Sequence, residues 1–197
     1  MRSEYAAIQQ TTLKKPTPIV QPRSDYTTEI TEESPAAKVM TNLNHVTPAT
    51  TRANTPLKTA NRQMIERAVR MLFVVDEEQQ LKGIITSIDI LGEKPIKHMQ
   101  RVSCKRDEID VKDVMTPIEQ IQVLDLSDVE YAKTGNILTT LKRSGRHHIL
   151  VAERLTDGTQ SICGIFSLSH ISRLMNKQVE VIEIANTFAE VERALHH

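Results

Sequence analysis

Thr86 and Asp89 stand three residues apart in "KGIITSIDIL", just after a glycine and a short apolar run. A hydroxyl at a helix start lies beside free backbone N–H groups and the positive end of the helix dipole, where a phosphate is stabilised. A carboxylate one turn further on accepts two hydrogen bonds from neighbouring ribose hydroxyls. The same spacing is also a capping box, which by itself stabilises a helix by about 0.5–2 kcal/mol. On these residues alone both readings stay open, and they do not exclude each other. His147 and His148 open the strand-like run "HHILVA". An imidazole can meet a phosphate, and its charge responds to pH near neutrality. Successive strand residues point to opposite faces, so at most one of the two serves a given cleft, which argues against a two-histidine metal site.

Other chemistries find little support. The chain has no GxxxxGK loop, GxSxG elbow or HExxH helix, so it is expected not to be an enzyme and to need no cofactor. Cys104 and Cys163 lack partner ligands at zinc spacing and read as reduced thiols. Cys163 falls in a strand-like run and is expected to be buried; Met40 and Met115 are expected in the core. The 197 residues carry 25 basic and 25 acidic side chains, a balance that attracts neither nucleic acid nor an anionic membrane. With 3% aromatics and no Trp, a base-stacking surface is not expected either. Apolar runs are short and the N-terminus is polar, so the reading is a cytoplasmic protein with no signal peptide or membrane span.

The elements that must position these residues occur twice. Val39-Met40-Thr41 returns as Val114-Met115-Thr116, with Met40 and Met115 75 positions apart. "RMLFVVDEE" returns as "HHILVAER", and Gly83 in "KGIITSID" returns as Gly164 in "CGIFSLSH". The first half reads as an opening strand, then a helix capped by Thr55 with Pro56 first inside it and Leu57, Ala60, Met64 and Ala68 on one face. A hairpin of "MLFVV" and "KGIIT" follows, then a helix from Thr86. The second half repeats this with a helix over Ala132–Ser144 ended by Gly145, the strands "HHILVA" and "ICGIFS", and the helix "SHISRLM". The expected fold class is α/β (α+β), two β-α-β-β-α repeats packed with pseudo-two-fold symmetry. The expected divisions are a flexible tail over 1–33, repeats over 34–94 and 109–177 with a linker at 95–108, and a C-terminal strand and helix over 178–197.

Two copies of VMT, helix, strand and "GIIT" or "GIFS" resemble the tandem cystathionine β-synthase (CBS) domain pair, or Bateman module, over about Ser34 to Lys177. Several phrases, "GEKPIKHM", "LKRSGRHHILV" and "TFAEVERAL", look like a bacterial group of stand-alone CBS-pair proteins. The resemblance implies a regulatory site for an adenosine-containing ligand (AMP, ADP, ATP or S-adenosylmethionine), a homodimer and a protein partner it does not name. By the same resemblance Gly83, Thr86 and Asp89 mark one cleft, completed by Ile121, Val123, His147 and His148. The other cleft takes Ser167 with Val46 and Arg70, and there His170 stands where the family carries its acid. A hydrogen bond to a charged group is worth about 1.5–3 kcal/mol, so the Asp89 cleft is expected to be the stronger. The competing reading is a ligand-free dimerisation or scaffold block.

Overall fold

A computed structural model describes residues 29–177. Most of the tail expected over 1–33, and the C-terminal strand and helix expected over 178–197, lie outside the described residues. The wholly buried run Met71–Val75 forms β3, and its polar sequel turns back into β4, Leu81–Thr86. In the turn, the Gln80 N–H donates to Asp76 Oδ1 at 2.8 Å. The second half repeats this hairpin with β7, His148–Arg154, and β8, Gln160–Ser167. Ahead of each hairpin lies a short strand that pairs parallel to its first member: β2 (Thr50–Thr51) with β3, and β6 (Val123–Asp125) with β7. Parallel pairing needs a crossover, and helices supply it. Between β2 and β3 runs α1 (Leu57–Glu66); between β6 and β7 run α5 (Leu126–Tyr131) and α6 (Thr134–Ser144).

The opening strands are exchanged between the halves. Thr41–Asn42, β1, does not join the sheet of its own half; it pairs antiparallel with β8, Thr41 opposite Ile165. Likewise β5, Thr116–Pro117, pairs antiparallel with β4, Ile84 opposite Thr116. The two sheets therefore run β2-β3-β4-β5 and β1-β8-β7-β6. The cores follow the exchange. Ala36 and Val39 are buried with Ile137, Leu141, Phe166 and Ile171, while Ile109, Val111 and Val114 are buried with Leu57, Leu72 and Ile85. An opening strand in each repeat is thus found, paired in the sheet of the other lobe. The duplicated glycines make the exchange possible. A Cβ on Gly83 would lie 2.5 Å from the Thr116 carbonyl oxygen, and one on Gly164 would lie 2.5 Å from Met40 Sδ. Met40 and Met115 pack against the two cores, as expected.

Other boundaries shift for local reasons. The tail does not run to residue 33, because Ile30 packs against the second core and the Gly135 N–H donates to the Glu32 carbonyl at 2.9 Å. Pro56, not Thr55, holds the N-cap of α1; the Thr55 hydroxyl instead accepts from the Arg52 N–H at 3.3 Å. Ala68, expected on the buried face of α1, falls beyond its end with a left-handed φ of 52°. Its counterpart after α6 is Gly145, φ 63°, which ends that helix as expected. The segment expected as a linker carries a helix, α3, Lys94–Val102, which leads by way of Ile109 to the short α4, Val111–Val114. After the hairpins come α2, Ser87–Leu91, and α7, Leu168–Leu174. At the seam, Met71, Phe73, Val75, Ile84 and Leu150 form a third apolar cluster, with Leu43, Ile121, Val123 and Ile165 at its edge.

Candidate functional site

The Thr86–Asp89 pair is a complete capping box. Thr86 donates to Asp89 Oδ2 from both its backbone N–H, at 2.8 Å, and its hydroxyl, at 2.7 Å. The Asp89 N–H returns a bond to Thr86 Oγ1 at 3.3 Å. The other carboxylate oxygen, Oδ1, is 2.6 Å from Lys94 Nζ, which also donates to the Val114 carbonyl. Both oxygens of a side chain that is only 10% exposed are therefore engaged by the protein's own donors. Lys94, five positions after Asp89 in "DILGEK", was visible in the sequence as a possible partner. Gly83 lies under β5, as described above.

Two cavities open along the seam, and Gly83, Thr86 and Asp89 line neither. One, about 630 Å³, is lined by Ile121 and Val123 together with Phe73, Val75 and Gln160, and among the described residues no ionisable side chain lines it. The other, about 800 Å³, gathers Val46, Arg70, Ser167 and His170, all four residues expected of the second cleft, and adds His148. Leu43, Pro48 and Phe73 belong to both walls. The set expected around Asp89 is thus divided: Ile121 and Val123 line one cavity, His148 lines the other, and His147 lines neither. His147 precedes β7, whose first residue is His148. His147 and Arg70 occupy matching places, since the Leu168 N–H donates to the His147 carbonyl as the Ser87 N–H does to that of Arg70. His148 likewise matches Met71: His148 stands opposite Ser167 as Met71 stands opposite Thr86.

The model of the CBS domain family matches residues 36–95. Residues 36–95 are a CBS domain. The second half repeats the sheet topology of that segment. No curated protein matches the chain. Among solved structures, an uncharacterized conserved protein from Pyrococcus horikoshii shares the fold with a TM-score of 0.52 at 22% identity, over 78% of this chain and 100% of that one. CBSX2 in complex with AMP is 20% identical over 71% of this chain and 94% of its own, TM-score 0.49. The CBS domain pair of protein MJ0100, in complex with 5′-methylthioadenosine and S-adenosyl-L-methionine, is 20% identical over 73% and 96%, TM-score 0.49.

The larger cavity is cationic. Arg67, Arg70 and Arg173 line it, and among the described residues no carboxylate does. Arg67 and Arg173 were missed in the sequence, although "IERAVR" and "SHISR" put a basic residue after α1 and one turn past His170. Arg173 stands 3.0 Å from His170 Nδ1; a guanidinium only donates, so that nitrogen accepts and His170 is held neutral. Partial burial and the Arg173 charge both lower the pKa of His170. His148 is more extreme. Burial, then the charges of His147 and Arg70, push its pKa down to about 4, against a smaller opposing pull from Asp89. Among the described residues its Nδ1 has no hydrogen-bond partner. Val46, Met71, Phe73 and Ile165 supply apolar surface in the same cavity. Burial raises the Cys163 thiol, which makes it a poor nucleophile. Among the described residues no cluster of three His, Cys, Asp or Glu could hold a metal ion, and no helix is long and apolar enough to cross a membrane.

Proposed function

We propose that the chain is a regulatory CBS pair that binds an adenosine-containing ligand, with AMP, ADP, ATP and S-adenosylmethionine as the candidates, and passes its occupancy to a partner protein. One observation carries the reading: a cavity of about 800 Å³ between the halves joins an apolar wall to Arg67, Arg70, Arg173 and the Ser167 hydroxyl. Its size falls within the usual ligand range of roughly 300–1,000 Å³, and its two kinds of wall suit a flat base and an anionic tail. We place the ligand there and not at Asp89, whose carboxylate would first have to give up Lys94. A ligand lodged against β1, β3, β7 and α7 touches both halves, so it favours whichever arrangement it binds more tightly.

Thermal unfolding with each candidate ligand tests this. A ligand at a hundred times its dissociation constant should stabilise the protein by about 2.7 kcal/mol. Arg70→Ala should abolish the gain and Asp89→Ala should leave it; the reverse pattern would move the site to Asp89. No gain with any of them would favour the second reading, an assembly block. That alternative has its own observation: α2 and α3 leave Ile88, Leu91, Ile96 and Val102 exposed, an apolar set that a second copy of the chain would cover.

A further inference from the structure

The smaller cavity is not the duplicate of the larger one. A copy of the larger cavity built from the other half would use Thr86, Asp89 and His147, the counterparts of Ser167, His170 and Arg70, and none of the three lines it. It opens instead where both hairpins turn, beside residues 79–81 of the first and 160–162 of the second. Its volume of about 630 Å³ falls in the usual range for small-molecule sites, roughly 300–1,000 Å³. We propose that this cavity is a second ligand site, and that it takes an uncharged, largely apolar molecule bearing a carboxamide- or lactam-type edge. The site uses none of the arginines of the larger cavity and does not depend on a ligand being bound there.

The lining sets the chemistry. Most of the wall is apolar, with Phe73 and Val75 from β3, Val123 from β6 and Ile162 from β8. Its polar groups are the hydroxyls of Thr50 and Ser161 and the carboxamides of Gln79, Gln80 and Gln160. A carboxamide carries two N–H donors and an accepting oxygen, so three of them match a partner with both kinds of group on one edge. Two of the three stand on a turn that is tied at its backbone. The Gln79 N–H donates to the Asp76 carbonyl at 3.0 Å, and the Gln80 N–H donates to Asp76 Oδ1 at 2.8 Å. Gln80 uses one side-chain N–H in a long bond of 3.4 Å to the Glu78 carbonyl, which leaves its amide oxygen to accept. The charges beside the cavity are already matched. Lys82 Nζ is 2.9 Å from Asp76 Oδ2, and Arg52, which donates to the Val75 carbonyl at 3.1 Å, pairs with Glu77 at 3.4 Å. A charged ligand would leave water for a wall that offers it no counter-charge, whereas a neutral amide exchanges its water for equivalent partners.

Methyl-resolved NMR of the full chain tests this with two probes of nearly one shape, neutral indole-3-acetamide and anionic indole-3-acetate, at neutral pH. Indole-3-acetamide should shift the methyls of Leu81, Ile118, Ile121 and Ile162 saturably, since these line the smaller cavity and not the larger. Indole-3-acetate should bind about tenfold more weakly or worse, because its carboxylate finds no cation there. Ala152→Leu, which fills the cavity from a buried place on β7, should remove the shifts. Gln160→Lys, at an exposed place where the fold tolerates the change, reads the same site without filling it. It should improve binding of indole-3-acetate relative to indole-3-acetamide by roughly threefold or more. Arg70→Ala should alter neither probe's affinity. Any of three results overturns the inference: no saturable shift at the four methyls, equal affinity for the two probes, or shifts confined to Val46 and Ile165 of the larger cavity. None of them touches the adenosine-ligand reading, which stands or falls with Arg70 and its own ligands.

Discussion

Replacing His148 by methionine, the residue that holds the matching place in the first half, should flatten the acid limb of the stability curve. His148 is neutral in the folded protein down to about pH 4 because burial and the charges of His147 and Arg70 oppose its protonation. Unfolded, it would protonate near its ordinary value of 6.5. Between these two values the unfolded chain binds the extra proton, so stability falls as pH falls from about 6.5 towards about 4. The loss from this one group is about 2 kcal/mol between pH 7 and pH 5. At about 2–4 °C per kcal/mol for a chain of this size, that is an extra fall of roughly 4–8 °C in Tm. Scanning calorimetry of wild type and His148→Met, without ligand, at half-unit steps from pH 7.5 to 4.5 would show it. Any packing change in the variant moves its whole curve by a nearly constant amount, so the difference in slope isolates the titration. Parallel curves would refute the reasoning, because they would mean that His148 protonates as easily in the fold as out of it.

Ala68 and Gly145 end equivalent helices in the same left-handed conformation, but only one is a glycine. Ala68→Gly should therefore stabilise the protein by about 1 kcal/mol and Gly145→Ala should destabilise it by a similar amount, as urea unfolding would show. A fragment of residues 36–95, although it spans the whole matched CBS domain, should not fold alone. It lacks Ile109, Val111 and Val114 from its core and exposes Ala36 and Val39, which belong to the other; a cooperative unfolding transition from the isolated fragment would contradict the exchanged-strand packing.

By itself the sequence determined the duplication, the hairpins and the fold class, because apolar period, turn residues and repeated glycines are local signals. It also offered the capping box of Thr86 and Asp89 as one of two open readings, since that geometry spans a single helical turn, and the structure shows it formed. It did not say which sheet each VMT segment joins. The two copies are nearly alike and either sheet edge accepts a short strand, so packing of Ala36, Val39, Val111 and Val114 made the choice. Nor could it say that Lys94 engages Asp89, or that His148 faces Arg70 across the seam instead of completing a cleft with Asp89. These contacts join residues of different elements, and side-chain direction at a seam is fixed only when both lobes are in place. The electrostatics follow from the same cause, since a cluster of arginines and a neutral histidine becomes a site only when the walls that bear them meet.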